Sequence, residues 1–366
     1  MGECRKLVSR PRNAVGVARR WGLFVRRLLL GGLVSALLAG CHGRTVSSGG
    51  QDHPLLPKPL RAIALGFHHL GIVTGTYVRR DEADDHVTLD RDVALAGLSA
   101  AGNADSVTWL GHSTALIRLK GMSILTDPVL ADGIVLGAPL PHRHVEPPIG
   151  LADLPKIDVV LISHGDYDHL HLPSLKALVK RFPKARLIVP DGLQPFGEKA
   201  GFARVDHPRE GGVVIAGATR ITALPAVHAT RRNFLAIPDG KANSWDIRAG
   251  TRSVLFVGDS AYGSVFRDIG RSRGPFDLAL VPIGAFEPAT LVSDMHSCPE
   301  DAARILDDVR AGLGIGIHWG TFALSPEPLL EPADRFLSAS AGHGRARVVR
   351  IGETMILARG GTAGRP

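Results

Sequence analysis

Short apolar runs of three to five residues, closed by Gly, Pro, Ser or Asp, recur from Val107 onward. They are Val107 to Leu110, Ala115 to Leu119, Ser123 to Thr126, Val159 to Ser163, Leu187 to Val189, Ile221 to Pro225, Val254 to Val257, Leu278 to Pro282, Gly314 to Ile317 and Val348 to Ile351. Their length and β-branched content predict strands. Two segments instead repeat at helical spacing: Leu172, Leu175, Leu178, Val179 and Phe182, then Ala302, Ala303, Ile305, Leu306 and Val309. Ser297 and Glu300 have the spacing of a capping box before the second. Strands outnumber helices and both halves share this texture, so the expected class is α/β (α+β), with sheets packed face to face and helices outside.

The pattern is weaker before Val107. Arg79 to Asp92 is densely charged and reads as a solvated surface segment, whereas Leu60, Ile63, Leu65, Phe67, Leu70 and Ile72 read as cover for the core rather than as a bilayer-docking stripe. His42 to Pro59 is rich in Gly, Ser and Pro and reads as a tether. Upstream, Leu28 to Gly40 is uncharged, mostly apolar and too short to span a bilayer comfortably, which suits the core of a signal peptide. It ends Leu38-Ala39-Gly40-Cys41, which resembles a bacterial lipoprotein cleavage site. The expected organisation is a signal peptide over 1–40, a tether over 41–59 and a catalytic domain over 60–366. Cys41 would carry the lipid anchor in the bacterial cell envelope, with His42 pointing to the periplasmic side of the outer membrane by resemblance to lipoprotein sorting.

Charge sharpens this division. Eight Arg and Lys against the single acid Glu3 in the first 27 residues supply nearly all of the formal net charge of +8. The remainder is close to neutral, and the main argument for a nucleic-acid partner disappears. A hydrophobic content of 45% is enough for a large core. The three cysteines, Cys4, Cys41 and Cys298, offer neither a disulfide framework nor a thiolate cluster, so any metal must be held by His and carboxylates.

Such residues occur together at His164-Gly165-Asp166-Tyr167-Asp168-His169, directly after the apolar run Val159 to Ile162. His228, Asp259 and His318 each close a later run. Seven candidate ligands at successive strand ends can be aimed at one point by a rigid scaffold. Two divalent ions about 3.5–4 Å apart need a bridging carboxylate, for which Asp259 is the candidate, and such a pair lowers the pKa of a shared water from about 15.7 toward about 7. The expected nucleophile is that metal-bridging hydroxide, so the sequence needs no Ser-His-Asp arrangement.

These residues resemble the metallo-β-lactamase superfamily, whose usual motif is H-x-H-x-D-H followed by a distant His, Asp and His. Further matches are Trp109-Leu110-Gly111-His112-Ser113-Thr114, Thr126-Asp127-Pro128, Gly258-Asp259-Ser260, Pro275-Phe276-Asp277-Leu278, Pro282-Ile283-Gly284-Ala285-Phe286-Glu287-Pro288 and His318-Trp319-Gly320-Thr321-Phe322. They are similar to the branch of N-acylphosphatidylethanolamine-hydrolysing phospholipase D and its bacterial relatives. The resemblance implies a four-layer αβ/βα sandwich with two zinc ions, one on His164, Asp166 and His228, the other on Asp168, His169 and His318, and Asp259 between them. Asp166 stands where the family usually has histidine, which makes manganese or iron more plausible there. It also implies that His296 and Tyr167 meet substrate and that Asp127 orients ligands. Arg231 and Arg232, just after His228, are candidates for phosphate contact.

The expected function is hydrolysis of a phosphodiester in a lipid or other small molecule, with Asp168, Asp259 and His296 as its catalytic residues. Lactone or ester hydrolysis by the same metal logic is one alternative. A catalytically weak metal-binding envelope protein is another. Oligomeric state is not legible.

Overall fold

In the computed structural model, two seven-stranded sheets carry the chain. The first runs from edge to edge as Val205–Asp206 (β10), Arg186–Ile188 (β9), Val159–Leu161 (β8), Met122–Thr126 (β5), Ala115–Leu119 (β4), Ser106–Trp109 (β3) and Thr354–Ile356 (β18). The second runs as Val213–Ala216 (β11), Thr219–Ala229 (β12), Lys241–Ala249 (β13), Arg252–Phe256 (β14), Leu278–Pro282 (β15), Gly314–Ile317 (β16) and Ala346–Arg347 (β17). Each sheet is antiparallel at one end and parallel at the other, the parallel strands being β5, β8, β9 and β10 in the first and β14 to β17 in the second. Two small ribbons, Thr45–Ser48 (β1) with Gln51–Pro54 (β2) and Ile134–Val135 (β6) with Ala138–Pro139 (β7), stand apart from the sheets. The structure describes residues 45–79, 87–130, 134–135, 138–139, 142–230, 241–342 and 344–358. They belong to one compact unit that begins at Thr45.

The helices are Lys58–Val73 (α1), Arg91–Ala100 (α2), Leu172–Arg181 (α3), Gln194–Ala200 (α4), Val265–Arg273 (α5), Ala289–Val292 (α6), Pro299–Asp308 (α7) and Glu331–Ala339 (α8). Strand alternation sorts the side chains between two cores. Ile117, Ile124, Leu161 and Ile188 point into the core shared with Ile221, Trp245 and Phe256 of the second sheet. Their neighbours Leu116, Leu125, Val160 and Leu187 point the other way, against Leu98 of α2 and Leu175 and Leu178 of α3. On the far side α7 packs on β15 and α5 on β12. The result is the four-layer sandwich, helices outside two facing sheets.

Several expectations change. The stretch read as a tether contains the β1–β2 hairpin and the start of α1. The hairpin is held because the Ser48 hydroxyl donates to Asp301 Oδ2 at 2.7 Å in a buried contact, far along the chain at the start of α7. The capping box is not formed: Cys298 is the N-cap without a side-chain bond, Ser297 Oγ donates to the Ser260 carbonyl, and Glu300 pairs with Arg335. Val348 to Ile351 is not a strand, since β17 ends before it and β18 begins after it; Ile351 makes only an isolated bridge to Thr88. The signal segment, Cys4, Cys41, Arg231 and Arg232 lie outside the described residues.

Candidate metal centre

The ligand-rich loop leaves β8, and the other three candidates come from β12, β14 and β16, so both sheets aim side chains at one place. His228 sits near the end of β12, within the register shift between Pro225 and Ala229. Asp259 follows β14, and His318 follows β16 with a positive φ of 65°. Gly258 has φ 66°, and a Cβ on it would lie 2.5 Å from Ser163 Cβ. Only glycine lets the Asp259 loop pass this close to the His164 loop.

Three of the four imidazoles, those of His164, His169 and His228, are turned inward by a bond on Nδ1. Asp127, fully buried after β5, accepts from Ser163 N at 2.7 Å, Ser163 Oγ at 2.5 Å and His169 Nδ1 at 2.7 Å. With its proton committed to Asp127, Ser163 Oγ accepts from His164 Nδ1 at 2.9 Å. His228 Nδ1 donates to the Met295 carbonyl at 2.9 Å. These partners fix the tautomers that leave the Nε2 atoms of His164, His169 and His228 facing the centre. Thr230 Oγ1 donates to Asp166 Oδ1 at 3.1 Å and accepts from Gly165 N at 2.7 Å.

Inside this frame Asp259 Oδ2 lies 3.0 Å from His318 Nε2, 3.2 Å from His169 Nε2, 3.9 Å from His164 Nε2 and 3.8 Å from His296 Nδ1. Asp166 Oδ2 lies 3.6 Å from both His164 Nε2 and His228 Nε2. Asp168 Oδ2 lies 3.6 Å from His169 Nε2 and accepts from His112 Nε2 at 3.0 Å. Ligand atoms of His164, Asp166 and His228 form one compact group, those of His112, Asp168, His169 and His318 a second, and those of His228, Asp259 and His296 a third.

The residues fit divalent metal ions. The Nε2 atoms of His164, His169, His228 and His318 and Oδ1 of Asp259 are buried and make no hydrogen bond, a costly arrangement unless another group takes them up. Burial opposes ionisation of Asp259, yet His169 and His318 hold its carboxyl well below the usual range. His169 is affected in the opposite sense: burial alone would lower it, but Asp259, Asp168 and Asp127 push it well above its ordinary value. The carboxylates thus demand positive charge at their centre. A metal would supply it and displace the proton from His169. Neutral imidazole with carboxylate oxygen suits zinc, manganese and iron alike.

All seven sequence candidates are in this cluster. His296 joins it with 17% of its side chain exposed, and burial pushes its imidazole down to about 3. The first turn of α7 carries Glu300 and Asp301, which makes that helix end a poor anion site. Tyr167 is half-buried between Asp166 and Asp168. Arg231, the remaining substrate candidate, falls outside the described residues. Sequence reading missed Ser163, Thr230 and the Met295 carbonyl as orienting groups. It also left His112 without a role, although its place in the motif Trp109 to Thr114, just after the apolar run that forms β3, was the signal available.

Residues 123–319, more than half of the chain, match the family described as Beta-lactamase superfamily domain. The chain is 35% identical over 240 residues to "N-acyl-phosphatidylethanolamine-hydrolyzing phospholipase D 1" of Caenorhabditis elegans, covering 62% of this chain and 67% of that protein. It is 30% identical over 256 residues to a "UPF0173 metal-dependent hydrolase" of Opitutus terrae, covering 68% of this chain and 98% of that one. Among solved structures it is similar to a metallo hydrolase of Ignicoccus hospitalis, with a TM-score of 0.51 and 22% identity over 68% of this chain and 97% of the other. With the sandwich and the buried His and Asp cluster, these matches mean that the chain belongs to the β-lactamase superfamily and is a metal-dependent hydrolase of that fold.

Proposed function

We propose that the protein is a two-metal phosphodiesterase of phospholipase D type, acting on a lipid or lipid-like phosphodiester. The observation that carries the metal centre is the convergence of four buried, unbonded Nε2 atoms on the carboxylates of Asp166, Asp168 and Asp259. The phosphodiester is inferred from the Caenorhabditis elegans relative's name. His164, Asp166 and His228 would hold one ion, Asp168, His169 and His318 the other, with Asp259 shared. Divalent ions bound there supply Lewis acidity and make a water molecule easier to deprotonate at neutral pH.

The chain's own groups do the rest. Asp127 and Ser163 keep His169 and His164 in the ligating tautomer, and His112 fixes the carboxylate of Asp168. His296, held neutral by its burial, offers a hydrogen bond to a phosphoryl oxygen of the substrate. Tyr167, by the family resemblance, and Arg231, by its position three residues after His228, would contact the substrate. Asp166 contributes a hard oxygen where imidazole is usual in the family, which shifts its site from zinc toward manganese or iron. The lipid on Cys41 would hold the enzyme in the bacterial envelope, on the periplasmic side of the outer membrane, next to its substrate.

The test is metal content per chain by inductively coupled plasma mass spectrometry on residues 42–366, beside Asp259→Ala, followed by release of phosphatidic acid from N-acylated phosphatidylethanolamine. Two equivalents in the native chain, a loss in the variant and phosphatidic acid release are expected. Turnover of lactones without any phosphatidic acid would overturn the substrate assignment; one equivalent or none after metal supplementation would overturn the two-metal centre. Asp166→His should raise zinc retention over manganese by about tenfold.

A further inference from the structure

The outward face of α1 is apolar apart from His69, whose Nδ1 bonds back to the Leu65 carbonyl. Ile63, Phe67, Leu70 and Val73 recur at helical spacing and are 60%, 54%, 54% and 45% exposed. Pro59, Ala62, Gly66 and His69 complete the exposed side. From Pro59 to Val73 the sole Arg, Lys, Asp or Glu is Arg61, and it is turned inward: its guanidinium donates to the Leu291 carbonyl and pairs with Asp294. The opposite face, Leu60, Ala64, Leu65 and Ile72, is half-buried. The sequence expectation that this stretch covers the core therefore describes only one of its two faces.

A helix face in contact with water ordinarily carries charged side chains, and a helix apolar all round is covered on every side. Large side chains gathered into one exposed stripe mark a surface that meets another apolar phase. A 16-residue helix is roughly 24 Å long, and none of the described helices is long and apolar enough to cross a membrane. The stripe therefore suits a helix lying along a bilayer rather than through it.

Position in the chain selects the bilayer over other apolar partners. Sixteen residues separate Lys58, the start of α1, from Cys41, where the sequence resembles a lipoprotein cleavage site, and a lipid there would keep α1 within reach of the membrane surface. We propose that α1 is a docking helix that rests in the interfacial layer of a phospholipid bilayer, with Ile63, Phe67, Leu70 and Val73 inserted among the acyl chains. Through Arg61 it is tied to the loop after α6, where Asp294 precedes His296 by two residues. Docking would thus place that loop close to the lipid surface. The inference does not depend on the reaction catalysed.

Residues 42–366 contain the whole compact unit with both cores and lack the cysteine that would be lipidated, so any vesicle binding comes from the protein surface. The experiment is co-sedimentation with sucrose-loaded vesicles of phosphatidylethanolamine and phosphatidylglycerol. It compares the native chain with the triple variant Ile63→Ser, Phe67→Ser, Leu70→Ser, alongside light scattering and metal content. The expected result is a monomer that binds vesicles, and a variant of unchanged metal content that partitions at least about tenfold less. Phe67→Trp should show a blue-shifted emission on addition of the same vesicles. Absence of binding by the native chain, or equal binding by the triple variant, would overturn the proposal. So would a native dimer that the variant converts to a monomer without any vesicle binding, which would assign the face to a second copy of the chain.

Discussion

Asp127 Oδ2 lies 2.7 Å from His169 Nδ1, and neither side chain is exposed to solvent. The same carboxylate holds Ser163, which in turn holds His164, so one buried acid orients an imidazole on each side of the centre. Asp127→Ala should therefore lower metal affinity by about 10–100-fold. It should also destabilise the fold by about 1–3 kcal/mol, because the Ser163 N–H loses its acceptor. Metal retention against a graded chelator and a thermal melt check the two effects separately.

His112 acts on one side only. Its Nε2 donates to Asp168 Oδ2 at 3.0 Å, and its own main chain is fixed by Thr321 Oγ1 and by the N–H of His318. His112→Ala should leave the group of His164, Asp166 and His228 intact and weaken the ion held by Asp168. Titration with metal should then resolve one tight and one weak equivalent, the weak one displaced by about tenfold. Equal weakening of both would show that the turn, rather than Asp168, depends on His112.

The ligands were legible because of where they sit. Four share one loop after an apolar strand, and three close strands whose runs of Val, Ile and Leu are visible by eye. Their orienting partners were not, since a carbonyl such as that of Met295 has no side-chain signature and Ser163 or Thr230 could serve any turn. In the fold, β13 was missed because Asn243, Ser244 and Asp246 interrupt its apolar pattern and are nonetheless buried. Arg248 and Arg273 pair with Asp246, which lets a polar strand occupy an interior position. The β1–β2 hairpin was missed for a related reason: one serine bonded to a distant aspartate holds it, and nothing periodic announces it.

That hairpin gives a chemical readout. A Cβ on Gly49 at its turn would sit 3.0 Å from Cys298 Sγ, and burial, followed by the charge of Asp301, pushes the Cys298 thiol up to about 12. In residues 42–366 Cys298 is the only thiol. It should resist Ellman's reagent at pH 8 in the native chain and react at once in denaturant. Ser48→Ala removes the bond to Asp301 and should increase the native-state rate by about tenfold, as the hairpin opens more often. Because the folded thiol is raised, its contribution to stability is complete below about 8.5 and is lost as pH rises toward the folded value.

Gly258 tests how tightly the two halves of the centre must approach. Alanine there would combine a left-handed backbone with a Cβ only 2.5 Å from Ser163 Cβ, and Ser163 carries the bonds to Asp127 and His164. Backbone strain alone costs about 1–2 kcal/mol. The steric conflict must then be relieved by moving either the His164 loop or the Asp259 loop, which separates Asp259 from the imidazoles it faces. Gly211→Ala is the matched comparison, since φ is 78° and nothing lies within 4 Å of the added Cβ. Both variants should melt lower, but only Gly258→Ala should lose bound metal. If the two retained metal equally, the approach of the loops would not be what assembles the site.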